Sequence, residues 1–331
     1  MDRPVVYDAV VVGGGIAGLS AALVLGRARR RVLVIDGGTP RNAPADAAFG
    51  FPTRDGTTPE HLVALGRAEL EPYGVHFLDG VVDGVLVDGS EERTGAWTVT
   101  TTDGATAQGR HLILASGLRD VLPEVPGARE AWGRGLLQCP YCHGWEVRDQ
   151  ALGVIGCTDA SPAQALLLRQ WSADVTYFPH LLGPVPEEDA RRLRARGVRV
   201  VDGAVRDLVP DEAHDDGGPR ALVAVRVDDG SADGERVPCI AVFCEPGADA
   251  GSLLVASLGC ELRDDGCVAT DHLGRASRER VWAVGNAADP AAHLVTAAGD
   301  AYRTAVAVNA VLVTEDCAAV PDTGGVAGES V

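Results

Sequence analysis

The segment Gln138-Cys139-Pro140-Tyr141-Cys142-His143-Gly144-Trp145-Glu146 concentrates the most reactive side chains of the sequence. Two cysteines with two residues between them can close a small disulfide. If a helix starts there, its dipole favours the thiolate, lowers the thiol pKa and speeds exchange. His143 adjoins Cys142 and can carry the proton that leaves as a thiol becomes a thiolate. Glu146, three residues on, can orient that imidazole if the segment is helical. Cys139, Cys142, His143 and Glu146 are therefore the candidate catalytic set. A CxxC can also be half of a zinc site, but no second CxxC or histidine pair stands at a suitable spacing. No metal is expected. Cys157, Cys239, Cys244, Cys260, Cys267 and Cys317 read as packing residues.

A second chemical signal lies near the start. Gly13-x-Gly15-x-x-Gly18 follows the Val-rich run Val5 to Val12 and opens an Ala/Leu helix to about Arg29. Glycines there permit the tight turn, let the backbone approach a pyrophosphate, and allow close helix–strand packing. The helix N-terminus offers unpaired N–H groups to phosphates. Asp36 ends the next strand, Arg31 to Asp36, 21 residues beyond Gly15, where a carboxylate can accept from ribose hydroxyls and repel a 2′-phosphate.

These motifs need two α/β units to position them. A second strand–glycine–helix pattern starts at Ala151 to Gly156, with a helix over Ala163 to Trp171 and a strand over Asp174 to Phe178. Between the patterns, Val75 to Gly117 reads as short strands ending in His111 to Ala115. Asp211 to Pro219 reads as a polar loop and Asp228 to Glu235 as a hairpin tip. Val281 to Gly285 reads as a buried strand, followed by a long helix from about Leu294 to Leu312. The Gly- and acid-rich tail after Thr314 is expected to fray. The fold class is α/β, with two Rossmann-like (three-layer ββα-type) nucleotide-binding domains. The first is discontinuous, 1–118 and 246–331, and the second is an insert over 119–245.

Composition removes other classes. A formal net charge of −18 disfavours nucleic acid and anionic membranes. Arg191 to Arg196 reads as the solvated face of a helix rather than a basic patch. No secretory signal precedes the first strand, and no apolar stretch approaches the roughly 18 uninterrupted residues a membrane span needs. A cytoplasmic protein is expected.

In motif order the chain resembles the low-molecular-weight thioredoxin reductase family: the Gly13–Gly18 fingerprint, the Ala115-Ser116-Gly117 crossover, the central CxxC, a second glycine loop, and Gly285-Asn286-Ala287-Ala288-Asp289. The resemblance implies a homodimer with FAD held by Gly13, Gly15, Ile16, Ala17, Gly18, Asp36, Gly37, Arg41, Asn42, Ala115, Ser116, Gly117, Gly285, Asn286, Asp289, Thr296 and Ala297. Asn286 stands where the family usually carries Asp. It also implies that Cys142 faces the flavin while Cys139 attacks substrate. Two departures are informative. His143 replaces the short acidic residue that usually follows the second cysteine. The NADPH loop, usually Gly-x-Gly-x-x-Ala, here reads Gly156-Cys157-Thr158-Asp159-Ala160-Ser161-Pro162, and Tyr177-Phe178-Pro179-His180 supplies no arginine fork for a 2′-phosphate. Both departures are shared with the thioredoxin reductase-like dithiol oxidases that close disulfides in gliotoxin, holomycin and related natural products. That resemblance implies a small-molecule dithiol and dioxygen as partners. A reductase fed by NADPH or ferredoxin is the alternative, and a flavin-bearing binding protein without turnover a third.

Overall fold

A computed structural model describes residues 5–87, 96–211, 221–249 and 253–318. Its contacts divide the chain into two units: Met1–Gly38, Leu65–Gly117 and Gly251–Val331; and Thr39–Ala64 with Leu118–Ala250.

The first unit is built on a seven-stranded sheet. Val6–Val12 lies between Val32–Asp36 and Thr106–Leu114, parallel to both, and His76–Asp79 extends the parallel part beyond Val32–Asp36. Strands buried on both faces read as continuous apolar runs, which is why the Val-rich stretch ending at Val12 is visible in sequence; Ala9, Val10 and Val11 are fully buried. Thr106–Leu114 changes partner along its length. Its first half pairs antiparallel with Trp97–Thr101, and its last three residues pair parallel with Val281–Ala283. The helix Ile16–Arg27 covers one face, and the closing helix Leu294–Ala318 lies along it. That last helix runs six residues further than the sequence pattern indicated; the tail from 319 lies outside the described residues.

At the far end of this sheet a buried histidine joins two strands and the closing helix. Trp282 Nε1 donates to His111 Nδ1 at 3.1 Å. That bond fixes the neutral tautomer with the proton on Nε2, which lies 3.4 Å from Glu315 Oε1 without the alignment of a hydrogen bond. Arg110 and Arg280 both pair with Glu315 at 2.9 Å. Burial outweighs the attraction of Glu315 and pulls the His111 pKa down from 6.5 to about 4. As pH falls through 6.5 the unfolded chain gains a proton that the folded one refuses until about 4. The neutral histidine therefore contributes its full stability above 6.5 and loses it on the way down to 4, roughly 3 kcal/mol. Urea unfolding at pH 7 and pH 4.5 should show this loss. His111→Gln, which keeps an acceptor for Trp282, should lose less over the same interval; equal losses would contradict the assignment.

The second unit carries a five-stranded sheet in the order Arg199–Val200, Val175–Phe178, Leu152–Ile155, Ala241–Phe243, Leu136–Leu137, all parallel. Its helices include Ser161–Leu168 and Glu187–Ala195. On the latter, Arg191, Arg192 and Arg194 are exposed and Leu193 is buried, the solvated face expected. An antiparallel sheet of Val205–Pro210, Leu222–Val227 and Glu235–Pro238 contains the hairpin tip at 228–235. Residues 212–219 of the expected polar loop lie outside the described residues.

Thr39–Ala64 clusters with this unit, whereas the sequence reading placed it in the first. Charge and close packing explain the difference. Arg41 pairs with Asp120 at 2.7 Å and Arg134 with Asp46 at 2.9 Å. A side chain on Gly133 would stand 2.4 Å from the Pro44 carbonyl oxygen, so only glycine lets those backbones meet.

Candidate active site

In the first unit, the turn after Val12 is closed by glycines that have no room for a side chain. A Cβ on Gly13 would lie 2.2 Å from the Ala115 oxygen, and one on Gly18 would lie 1.9 Å from the Gly13 oxygen. Gly13 also has φ +109°, a conformation side chains disfavour. Gly15 is different: a Cβ there meets nothing within 4 Å. The N–H groups of Gly15, Ile16, Ala17 and Gly18 find no acceptor among the described residues, and no side chain caps the helix. Four unsatisfied donors beside open space fit a phosphate group. Asp36 Oδ1 accepts from Gly14 N–H at 3.0 Å and Gly38 N–H at 3.2 Å. Those bonds hold the carboxylate at the strand end and leave Oδ2 outside both. Gly37, next along, is exposed.

Two further segments reach this turn. Ala115 N–H donates to the Val12 carbonyl, and Val284 N–H to that of Leu114, which brings three strand ends together. Ser116 is exposed, and Gly117 has φ +70° with nothing within 4 Å of its missing Cβ. A Cβ on Gly285 would stand 2.8 Å from that of Ala17 and 3.7 Å from that of Ala297, so the last motif packs on the first helix turn. Asn286 is used otherwise than its place in the motif implied. Its amide nitrogen donates to the carbonyls of Asp289 (2.9 Å), Pro290 (3.3 Å) and Ala292 (3.1 Å). A carboxylate facing three carbonyls would be repelled, which accounts for Asn in place of Asp. Asp289 Oδ1 accepts from Ala291 N–H at 3.0 Å, and Thr296 is exposed.

In the second unit, Cys139 and Cys142 form a disulfide with Cα atoms 5.2 Å apart. Leu136–Leu137 delivers Cys139 to the N-cap of the short helix Pro140–His143, where Pro140 suits the first helical position. Cys139 Sγ accepts from Cys142 N–H at 3.0 Å. That donor favours a thiolate on Cys139 once the bond opens. Gln138, just before it, is braced twice: its carbonyl accepts from Gln164 Nε2 at 2.7 Å and its Oε1 from Arg41 at 3.0 Å. Arg41, which the resemblance implied for the cofactor, is engaged within this unit. Its fork holds Asp120 and Gln138, and the Asn42 carbonyl closes a turn by accepting from Ala45 N–H at 3.0 Å.

His143 is half-buried with its ring edge-on to Phe49, centroids 6.0 Å apart. Burial pulls its pKa below 6.5, and Asp46 opposes the shift. A neutral imidazole at neutral pH is a competent base. Glu146 does not orient it. The helix stops at His143, and Glu146 is exposed without a side-chain hydrogen bond among the described residues. Asp46, from a segment far away in sequence, is the carboxylate that acts on His143; no local spacing could have signalled it. Tyr141 and Trp145 are 68% and 63% exposed, so neither belongs to the core.

The second glycine loop closes on itself. Ser161 Oγ, fully buried, accepts from the N–H groups of Cys157 and Thr158, each at 3.1 Å. Ala160 N–H donates to Thr158 Oγ1, Ser161 N–H to the Thr158 carbonyl, and Gly156 N–H to the Phe178 carbonyl. Thr158 Oγ1 donates to Glu245 Oε2 at 2.8 Å. Of the donors that a pyrophosphate needs, only the Asp159 N–H lacks an acceptor among the described residues, and a carboxylate stands at the loop. Ser161 and Glu245 were missed in sequence, although Ser before Pro at a helix start signals a side chain turned to backbone N–H groups.

Residues 7–305 match the pyridine nucleotide-disulphide oxidoreductase family. The chain belongs to that family. Members of this oxidoreductase family are typically flavoproteins. The chain is 44% identical to HlmI, whose crystal structure superposes with a TM-score of 0.87 over 96% of each chain. An oxidoreductase from Agrobacterium tumefaciens superposes with a TM-score of 0.82 at 32% identity, covering 94% of this chain and 99% of that one. Thioredoxin reductase aclD of Aspergillus oryzae is 30% identical over 295 residues, 85% of this chain and 92% of the relative. Thioredoxin reductase sirT of Leptosphaeria maculans is 40% identical over 148 residues, 44% of each. The chain spans less than half the length of three curated relatives matched in this partial way. The chain is thus a thioredoxin reductase-like oxidoreductase carrying a cysteine pair. Among the described residues no helix is long and apolar enough to cross a membrane.

Proposed function

We propose that the chain is an FAD-dependent dithiol oxidase that closes a disulfide in a small molecule. FAD is the group that the donors of Gly15 to Gly18, Asp36 and the turn at Gly285 suit. When bound, it supplies a two-electron acceptor that dioxygen can reoxidise. One observation carries the direction of electron flow: the second loop has spent all but one of its N–H groups on Ser161, Thr158 and Phe178, and Glu245 faces it. A nicotinamide dinucleotide phosphate would meet a carboxylate there and, of the loop's N–H groups, only that of Asp159 without an acceptor among the described residues.

In the reaction we assign, a substrate thiolate attacks Cys139 Sγ; the substrate–Cys139 bond forms and Cys142 leaves as a thiolate. The second substrate thiolate attacks the bound substrate sulfur, closes the product disulfide and releases Cys139. The N–H of Cys142 steadies Cys139 as it leaves, and neutral His143 takes up a thiol proton. Reoxidation of the cysteine pair would draw on the two-electron acceptor that FAD would supply at the Gly13 to Gly18 turn, with dioxygen as the final acceptor, so that overall dithiol plus O2 would give disulfide plus H2O2. On the same reading the enzyme acts in the cytoplasm as a homodimer, with the six other cysteines as free thiols.

The names of aclD and sirT favour a second reading, a reductase; the closed loop weighs against NADPH as its donor but not against ferredoxin. The test is an anaerobic half-reaction on the purified yellow protein. A small dithiol should bleach the flavin in one turnover, while micromolar NADPH leaves it oxidised. Bleaching by NADPH, or by reduced ferredoxin alone, overturns the oxidase reading.

A further inference from the structure

Three neighbouring parallel strands of the second unit each run out into a cysteine. Leu136–Leu137 leads to Cys139, Ala241–Phe243 to Cys244, and Leu152–Ile155 to Cys157. Phe243 is in register with Val154, so Cys244 and Cys157 emerge from adjacent strand ends. The residues that follow them, Glu245 and Thr158, are already joined by a 2.8 Å hydrogen bond. Both cysteines belong to one apolar cluster, and each thiol shifts the other's pKa. The mechanism above uses neither.

We propose that Cys157 and Cys244 form a second oxidisable dithiol, which a hydroperoxide closes into a disulfide. Their environments divide the roles. Cys157 is partly exposed, and the Cys244 thiol lowers its pKa; Cys244 is fully buried, and the neighbouring Cys157 with burial pushes its pKa up. The thiolate is the nucleophile toward peroxide, so Cys157 reacts first and Cys244 resolves. The Cys157 thiolate attacks one peroxide oxygen, forming a sulfenic acid and releasing hydroxide. The Cys244 thiol then attacks the sulfenic sulfur, the S–S bond forms, and water leaves. Overall two thiols and H2O2 give one disulfide and two waters. The bridge ties together the strand ends that carry the second loop and fixes that loop in its self-bonded form. Cys239, by contrast, has a thiol pushed by burial to about 12 and sits apart from this pair as packing.

The FAD-loaded full chain carrying Cys139→Ser and Cys142→Ser is treated with H2O2 without oxygen, alkylated after denaturation, digested and weighed. Because the first cysteine pair is absent and the peroxide is added, the result is independent of the oxidase reading. A cross-linked peptide joining Cys157 to Cys244, two hydrogens lighter than its parts and lost on reduction, is the expected product. In the Cys157→Ser variant Cys244 should stay alkylatable. Full alkylation of both cysteines after peroxide, or a sulfinic acid on Cys157 beside an alkylated Cys244, would overturn the proposal.

Discussion

Cys142→Ser is expected to keep its flavin and lose its turnover. Serine lacks a sulfur to receive the electrons, so oxygen uptake driven by a dithiol should fall by roughly three orders of magnitude or more, the scale on which loss of a covalent nucleophile registers. The Gly13 to Gly18 turn, Asp36 and Gly285, proposed to hold the flavin, stand in the other unit and are untouched. Cys139→Ser should lose turnover as completely, and its fold should persist for a definite reason. Cys139 is an N-cap whose side chain accepts from Cys142 N–H, and serine is among the best N-caps. The remaining thiol of Cys139→Ser should be alkylated without loss of flavin, and so should that of Cys142→Ser. Oxygen uptake that survives in either variant would remove the pair from the reaction.

The second large effect separates folding from binding. Gly18→Ala places a methyl 1.9 Å from the Gly13 carbonyl oxygen, which no rotamer avoids. The helix Ile16–Arg27 must move off the strand, at a cost of about 3 kcal/mol or more, and the protein should be isolated unstable and colourless. Gly15→Ala meets nothing within 4 Å, and Gly15 has φ −70°, which alanine adopts freely. Its apoprotein should melt at the parent temperature. The added methyl nevertheless enters the space beside the four unsatisfied N–H groups, so flavin content should fall sharply. Flavin-replete Gly15→Ala protein would show that the dinucleotide lies elsewhere, whatever Gly18→Ala does.

Local pattern made the βαβ start, the cysteine turn and the hairpin at 228–235 legible, because each is dictated by residues within a few positions of one another. Asp36 was readable for the same reason: its role follows from ending a strand at a fixed distance from the turn. The closed second loop was half legible. The loop's departure from Gly-x-Gly-x-x-Ala was visible, but the capture of two N–H groups by Ser161 and the arrival of Glu245 from another strand needed the fold. Arg41 and Glu146 were read by position in a motif or along a helix, and both meet tertiary surroundings that position did not reveal. Arg41 belongs to a segment drawn into the second unit by Asp120, and the helix that would have aimed Glu146 ends three residues too soon. Cys157 and Cys244 lie 87 positions apart in the chain, a separation at which composition says nothing about contact.

The pairing of the first unit's last strand with Thr106–Leu114 bears on how the protein is made. Val281–Ala283 must slot beside Thr106–Leu114, and Leu294–Ala318 must settle on Ile16–Arg27, before the cradle at Gly13 to Gly18 is complete. A ribosome therefore has to finish almost the whole polypeptide before the nascent unit can hold its dinucleotide. The inserted unit, whose sheet is contained within residues 136 to 243, is free to assemble earlier in synthesis. Premature termination between about residues 250 and 300 should thus yield chains that carry the reactive cysteines yet remain colourless, a population for quality control to clear rather than a partly working enzyme.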